Sequence, residues 1–253
     1  MDSAPLFITT LETVCVAVVA FLYSAVGHGG ATGYIAVLSL FGVQHEAIAG
    51  TTLVLNCLVS GLALFAYARA GQYSHKKVLP YLILSVPCAF LGAILPVDRQ
   101  VFHLILCLIL PLIGLRFLFW PDLKNDDGAV KQPAPLLAAA IGAVLGLLSG
   151  IVGIGGGVFL SPIMIMARYA TTRETAAASA LFILANSLSG LAGKVVQHKL
   201  DLSNSNLWPF MLAALIGALA GSHLGARKFS TTLLKRLLGV VLIIAALKLI
   251  QGK

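Results

Sequence analysis

The chain has 253 residues and carries 17 Lys and Arg against 9 Asp and Glu, a formal net charge of +8. It is 59% hydrophobic and 10% charged, with a mean hydropathy of +0.98, whereas soluble domains carry about 25% charged residues. So little charge cannot clothe a soluble surface, which places the chain in a bilayer, with length for about seven to nine hydrophobic segments. The basic residues lie in short loops between apolar segments, where topology signals sit, rather than in a basic tail, so nucleic-acid binding is not expected.

In chain order, the opening MDSAPLF has neither a basic n-region nor an A-x-A site after it and does not read as a cleaved signal peptide. Eight long apolar stretches follow, at roughly 6–26, 46–68, 78–96, 100–119, 134–152, 174–197, 207–225 and 232–250. Two short apolar pieces, at 31–42 and 157–167, follow the first and fifth. A bilayer span needs about twenty residues, so neither short piece crosses alone. The four cysteines (Cys15, Cys57, Cys88 and Cys107) sit singly inside apolar segments and read as small packing residues. The one long polar linker, PDLKNDDGAVKQPAP at 121–135, divides the chain near its midpoint.

On either side of that linker the sequence repeats itself. Gly27-His28-Gly29-Gly30 corresponds to Gly153-Ile154-Gly155-Gly156 at an offset of 126, and Ser60-Gly61-Leu62-Ala63 to Ser189-Gly190-Leu191-Ala192 at an offset of 129. Each half has an apolar run, a G-x-G-G interruption, a short apolar piece, a polar loop and an alanine-rich helix bearing small hydroxyls and an asparagine. The expected organisation is a first membrane repeat at 1–120, a linker at 121–135 and a second repeat at 136–253. If each Gly-rich element is a hairpin that leaves on the side it entered, each half crosses three times and the halves are inverted. One face then carries 12 of the 17 basic residues, among them Arg69, Lys76, Lys77, Arg168, Arg173 and Lys228, and the other carries 5. With all eight long segments crossing, the tally is 10 against 7, so the bias of Lys and Arg toward one face favours the inverted arrangement.

The glycine-dense stretch GIVGIGGGVFLSP, Gly150 to Pro162, carries the functional reading. Glycine costs a helix about 1 kcal/mol relative to alanine. A helix break inside hydrocarbon survives only where it faces protein or a watery cavity. In return it exposes free N–H groups and the positive end of a helix dipole, which attract anions. Paired breaks are a pointer to a transporter's binding site. Gly27, Gly29, Gly30, Gly153, Gly155, Gly156 and Gly157 are therefore candidate anion-binding positions, and His28 joins them either as a protonated partner, as a proton carrier or as a neutral side chain bonded to backbone. Gly142, Gly146 and Gly150, four residues apart, read instead as close helix packing. Thr51, Thr52 and Ser179 open the helices after the breaks, and Asn56 and Asn186 lie further along them. An asparagine in an apolar helix needs a partner, which either an anion pocket or a neighbouring helix supplies. Lys194 reads as interfacial, His103 and His223 as packing residues, and Arg69 and Arg116 as side chains that snorkel.

The paired glycine interruptions, Pro162 after the second, and the Thr/Ser–Asn helices resemble the sulfite exporter TauE/SafE family, also called the 4-toluene sulfonate uptake permease family. The resemblance spans nearly the whole chain and is most specific from Gly153 to Pro162 and from Ala176 to Gly190. It implies an integral membrane protein of the bacterial inner membrane that moves sulfite, a sulfonate or a related organosulfur anion. The chain departs from the family pattern at His28 and Ala31, where a plainer glycine run is expected.

The expectation is an all-α integral membrane protein of two homologous, inverted halves. Each half has a Gly-broken or re-entrant helical element and about three transmembrane helices. It acts as a secondary transporter for a small anion, coupled to a proton or sodium ion or driven by the membrane potential, with no cofactor, and with a homodimer as the candidate assembly. An anion channel is the alternative. An intramembrane serine enzyme is a remote third, since Ser149 has no base near it in sequence and neither a P-loop nor an HExxH motif occurs.

Overall fold

A computed structural model describes residues 3–25, 28–43, 45–119, 133–198 and 207–225, and positions 236, 239–240, 242–244, 246–247 and 250 beyond them. Among the described residues the fold is entirely helical. The helices are α1 (Ser3–Ala25), α2 (Ala31–Leu40), α3 (His45–Arg69), α4 (His75–Ile94), α5 (Arg99–Phe119), α6 (Pro135–Val152), α7 (Gly157–Met166), α8 (Thr172–Val196) and α9 (Leu207–Gly225). These bounds fall within a few residues of the apolar stretches read from sequence. Most of the 121–135 linker and much of the 232–250 stretch lie outside the described residues.

Four of the helices are long and apolar enough to cross a membrane: Ile48–Arg69, His75–Ile94, Pro135–Val152 and Arg173–Val196. Large apolar side chains such as Leu136, Phe119 and Trp208 are more than 70% exposed, a surface suited to lipid rather than water. Local chemistry sets the ends. Pro135 occupies the first turn of α6, where its missing N–H is harmless. A capping box starts α8: Thr171 Oγ1 accepts from Glu174 N at 3.3 Å, and Glu174 Oε2 accepts from Thr171 N at 3.0 Å.

Helix directions follow from close contacts. Gly142, Gly146 and Gly150 of α6 press in turn on the backbone of Tyr81, Ser85 and Ala89 of α4, where any side chain would collide, so α4 and α6 run parallel at glycine-packed distance. Gly217 and Gly221 of α9 press in the same way on Ala17 and Phe21 of α1, so these two also run parallel. At one end of the bundle Lys77 Nζ pairs with Glu174 Oε2 at 2.7 Å; at the other, Gln197 Nε2 donates to the Ile94 carbonyl. Hence α4 and α8 run the same way, and α3, joined to α4 by a short turn, runs against both.

The helix pairs α4·α6 and α1·α9 both join one side of the linker to the other, and α3 lies against α8 at the centre. The cores follow this crossed pattern. One gathers Val78 and Tyr81 of α4 with Ala138, Leu145, Leu160, Met164, Ala178 and Phe182 of α6, α7 and α8. The other gathers α1, α2, α3, α5 and α9, from Val16 through Phe210 and Ala218, and takes in Val152, Ile154 and Val158. Ser85–Asn186, Ser189–Val86 and Lys77–Glu174 hydrogen bonds tie the first set together, and Ser24–Ala218 ties α1 to α9 in the second. The seam between the two sets runs along α3 and α8.

Candidate functional site

Two helix interruptions meet at that seam. Between α1 and α2, His28 N donates to Tyr23 O at 2.8 Å and Gly30 caps α2 with φ +100. Between α6 and α7, Gly153 N donates to Ser149 O at 2.7 Å, and Gly156 caps α7 with φ +75. Both caps are left-handed, a conformation that glycine adopts without penalty. Tyr34 N is the first in α2 to bond back along the helix, to Gly30 O at 3.0 Å; in α7, Phe159 N does so to Gly156 O at 3.1 Å. The N–H groups of a helix's first turn have no partner within the helix and form the positive end of its dipole; in α2 the Gly33 N–H is taken by the Tyr23 hydroxyl.

The interruptions share their neighbours. A Cβ added at Gly29 would lie 2.9 Å from Asn56 Oδ1 and 2.9 Å from Ile183 Cγ2; one added at Gly155 would lie 2.7 Å from the same methyl and 3.1 Å from Asn56 Nδ2. Gly157 also abuts Ile183. His28 reaches across the seam, its Nε2 3.0 Å from Ser161 Oγ of α7; Ser161 Oγ lies 2.8 Å from Ser179 Oγ of α8 and donates to Gly157 O at 3.0 Å. A second bridge runs from Asn56 Nδ2 to Ser187 Oγ at 3.5 Å. Asn186 accepts from Ser85 Oγ at 2.8 Å and donates to Gly155 O at 3.5 Å, holding the second interruption from behind.

On α3, three polar atoms have no partner among the described residues: Thr51 Oγ1, Thr52 Oγ1 and Asn56 Oδ1. Their residues are fully buried. A buried polar group left unpaired costs about 1–3 kcal/mol in a protein interior, so neighbouring orphans on one helix are costly to the fold. The groups named around the interruptions are neutral, His28 apart, and among the described residues no cluster of three His, Cys, Asp or Glu could hold a metal ion.

Of the residues singled out from sequence, Gly29, Gly30, Gly155, Gly156, Gly157, Asn56, Ser179, Asn186 and His28 lie around this junction, with Gly153 at the C-terminal end of α6, while Gly27 lies outside the described residues. Thr51, Thr52 and Ser179 sit about two turns inside α3 and α8 rather than at their starts. The helices start at His45 and Thr172, within two residues of the apolar stretches, and a capping box of Thr171 and Glu174 fixes the start of α8. Lys194 lies in the last turn of α8, remote from the junction, and the His223 side chain lies outside the described residues. Sequence reading missed Ser161, Ser187, Ser85 and Ile183. Ser161 carried a signal, one turn after Gly157 and directly before Pro162, and Ser187 adjoins Asn186; Ser85 is brought in only by the docking of α4 on α8.

An all-helical chain with several membrane-length apolar helices, a lipid-suited exterior and a buried polar junction built on broken helices is a multi-pass membrane protein. The sulfite exporter TauE/SafE family model matches residues 13–249, and the chain belongs to that family and with it to the membrane transporters. It is 36% identical over 236 residues to the "Probable membrane transporter protein y4hK" of Sinorhizobium fredii, covering 92% of this chain and 94% of the relative. It is 28% identical over 225 residues to a "Probable membrane transporter protein" of Xylella fastidiosa, covering 84% and 83%, and 25% identical over 229 residues to the "Probable membrane transporter protein YunE" of Bacillus subtilis, covering 82% of each. No solved structure matches the chain.

Proposed function

We propose that this transporter carries a small oxyanion (sulfite, a sulfonate or a related organosulfur anion) and binds it where the two glycine interruptions meet. The observation that carries the reading is the pair of buried, unpartnered Thr51 and Thr52 hydroxyls on α3, about one turn before Asn56, whose amide lies against both glycine interruptions. An oxyanion supplies acceptors for the hydroxyls and for the N–H groups of both breaks, and the helix dipoles favour its charge. A neutral donor set suits an anion that must also be released, because it holds charge less tightly than a lysine or arginine.

The same geometry supports inverted halves. α1 and α9 run together, α4, α6 and α8 run together, and α3 runs against the latter three, with α7 turning back toward the end where α8 begins. Exchanging α1, α2, α3 and α4 with α6, α7, α8 and α9 turns the α4·α6 pair into α9·α1 and leaves α3·α8 in place. This is the relation expected of a two-fold axis in the membrane plane.

The polar groups at the junction are shut off from water in this conformation, which favours a carrier that opens by steps over a continuous channel. The seam between the two cores is the natural plane of opening. Driving force comes from a proton or sodium gradient, or from the membrane potential, worth about 2.3 kcal/mol per charge per 100 mV for an outgoing anion. An enzymatic role has no support at Ser149: its hydroxyl has no partner among the described residues, and so no base to activate it. The bacterial inner membrane is the proposed location.

The test is flux in proteoliposomes with radiolabelled sulfite, toluenesulfonate and acetate. Saturable uptake of the sulfur oxyanions with accelerated exchange from the far side supports the reading; an inert protein with all three anions contradicts it.

A further inference from the structure

Each helix N-terminus at the junction has beside it a hydroxyl that does nothing for the fold. At the first, the ring of Tyr34 folds back over its own helix start: a Cβ on Gly30 would lie 2.8 Å from Tyr34 Cζ and 2.9 Å from Oη. At the second, Ser149, in the last turn of α6, lies beside the Gly156 cap, where an added Cβ would be 3.5 Å from Ser149 Cβ. Tyr34 is 0% exposed and Ser149 1%, and neither hydroxyl has a hydrogen-bond partner among the described residues. Other hydroxyls nearby are satisfied: Tyr23 Oη pairs with Thr32 Oγ1 at 2.5 Å, and Ser161 bonds Ser179 and Gly157.

The coincidence is informative because the two hydroxyls do not correspond in the repeat. One comes from the helix after the break, the other from the helix before it. Duplication alone does not put an unpartnered donor at both caps; a shared requirement does. A buried O–H without an acceptor costs free energy, and a side chain one oxygen smaller, Phe or Ala, would avoid that cost. What both places share is a left-handed glycine cap with outward N–H groups, a place for an anion's oxygens.

We propose that Tyr34 and Ser149 are substrate-binding residues, each donating its hydroxyl hydrogen to an oxygen of the transported anion as it engages the adjoining helix N-terminus. This rests on the oxyanion-carrier reading above and deepens it. Two directional O–H donors, one per break, select an anion with at least two terminal oxygens, such as a sulfonate or sulfite, over a halide.

The test uses purified full-length protein in proteoliposomes, with radiolabelled toluenesulfonate and sulfite as probes and chloride as the competing halide. Tyr34→Phe and Ser149→Ala are compared with Tyr81→Phe, which also removes a buried, unpartnered hydroxyl but from α4, away from both breaks. Tyr34→Phe and Ser149→Ala each raise the KM for the sulfur oxyanions by roughly tenfold, the factor for one hydrogen bond to a charged group. They narrow the preference over chloride and leave the anion-free thermal midpoint unchanged or higher; Tyr81→Phe leaves KM alone. Unchanged KM in both variants, an equal rise in Tyr81→Phe, or a fall in anion-free stability overturns the assignment while the carrier reading stands. A wild-type protein that neither transports nor is thermally stabilised by any of the oxyanions overturns the carrier reading and this inference with it.

Discussion

Gly29 and Gly155, from opposite halves of the sequence, lean on the same methyl group, Ile183 Cγ2, and on the same amide, that of Asn56. Neither position has room for a side chain, so the junction is closed by glycine backbone pressing on the Ile183 and Asn56 side chains. Gly29 does not have the positive φ of Gly155, so its replacement tests space without adding backbone strain. Gly29→Ala is expected to cut transport at least tenfold while the protein still reaches the membrane. Adding Ile183→Ala, which removes one of the two colliding groups, is expected to recover part of the loss. Flux normalised to membrane-inserted protein measures both, and no rescue by the second substitution would separate the glycine from the junction.

Asn186 holds the second interruption through Ser85 Oγ and the Gly155 carbonyl. Asn186→Ala leaves the Ser85 hydroxyl and the carbonyl short of partners, at a cost of about 1–3 kcal/mol. A lowered thermal midpoint together with weakened substrate affinity is expected. Cys107→Ala, a partly buried thiol in α5 away from the seam, is expected to change affinity far less. Equal effects of the two would reduce Asn186 to a packing residue.

Sidedness follows from the Lys77–Glu174 pair, which brings the starts of α4 and α8 to one end of the bundle. Lys76→Cys and Arg168→Cys are expected to react with a membrane-impermeant maleimide from the same side, and Asp98→Cys, beyond the far end of α4, from the other. Lys228, which the sequence assigns to the same face, lies outside the described residues. Labelling of 76 and 168 from opposite sides would reject the inverted arrangement.

If the seam opens during transport, the crossed cores dictate which ties it tolerates. A Cβ on Gly190 of α8 would lie 3.4 Å from Leu53 Cδ2 of α3, so Leu53→Cys with Gly190→Cys places two thiols across the seam. Oxidation is expected to stop transport and reduction to restore it. Lys77→Cys with Glu174→Cys, joined by a short bifunctional maleimide, also links the two halves of the sequence but lies within one core. That link is expected to leave transport largely intact. Loss of transport with both links would mean that the sequence halves, not the cores, are the moving bodies.

Much of this architecture can be read from the chain because the bilayer enforces it. Helix bounds follow from apolarity, and the interruptions stand out because consecutive glycines at 155–157 serve no single helix face. Gly142, Gly146 and Gly150 announce close packing by their spacing, and the structure supplies the α4 backbone they press on. What the chain order conceals is partnership. Nothing in the local sequence of α4 says that it docks beside α6 and α8 rather than within its own half, so Ser85 could not be assigned to the junction. Ser161 and Ser187 stand beside Pro162 and Asn186 in sequence, but only folding brings His28 and Asn56 to them. Tyr34 reads as a core aromatic, and only its position over Gly30 sets it apart.

The central claim, that peptide nitrogens of both interruptions hold the anion, is tested most directly by titrating glycine-15N-labelled protein in lipid with sulfite or toluenesulfonate and following the assigned amide signals. Saturable shifts of Gly29, Gly30, Gly155, Gly156 and Gly157 with a common midpoint, absent with an uncharged sulfone, are the predicted result. Shifts that leave these amides unmoved while others respond, or that appear at only one interruption, would contradict the account.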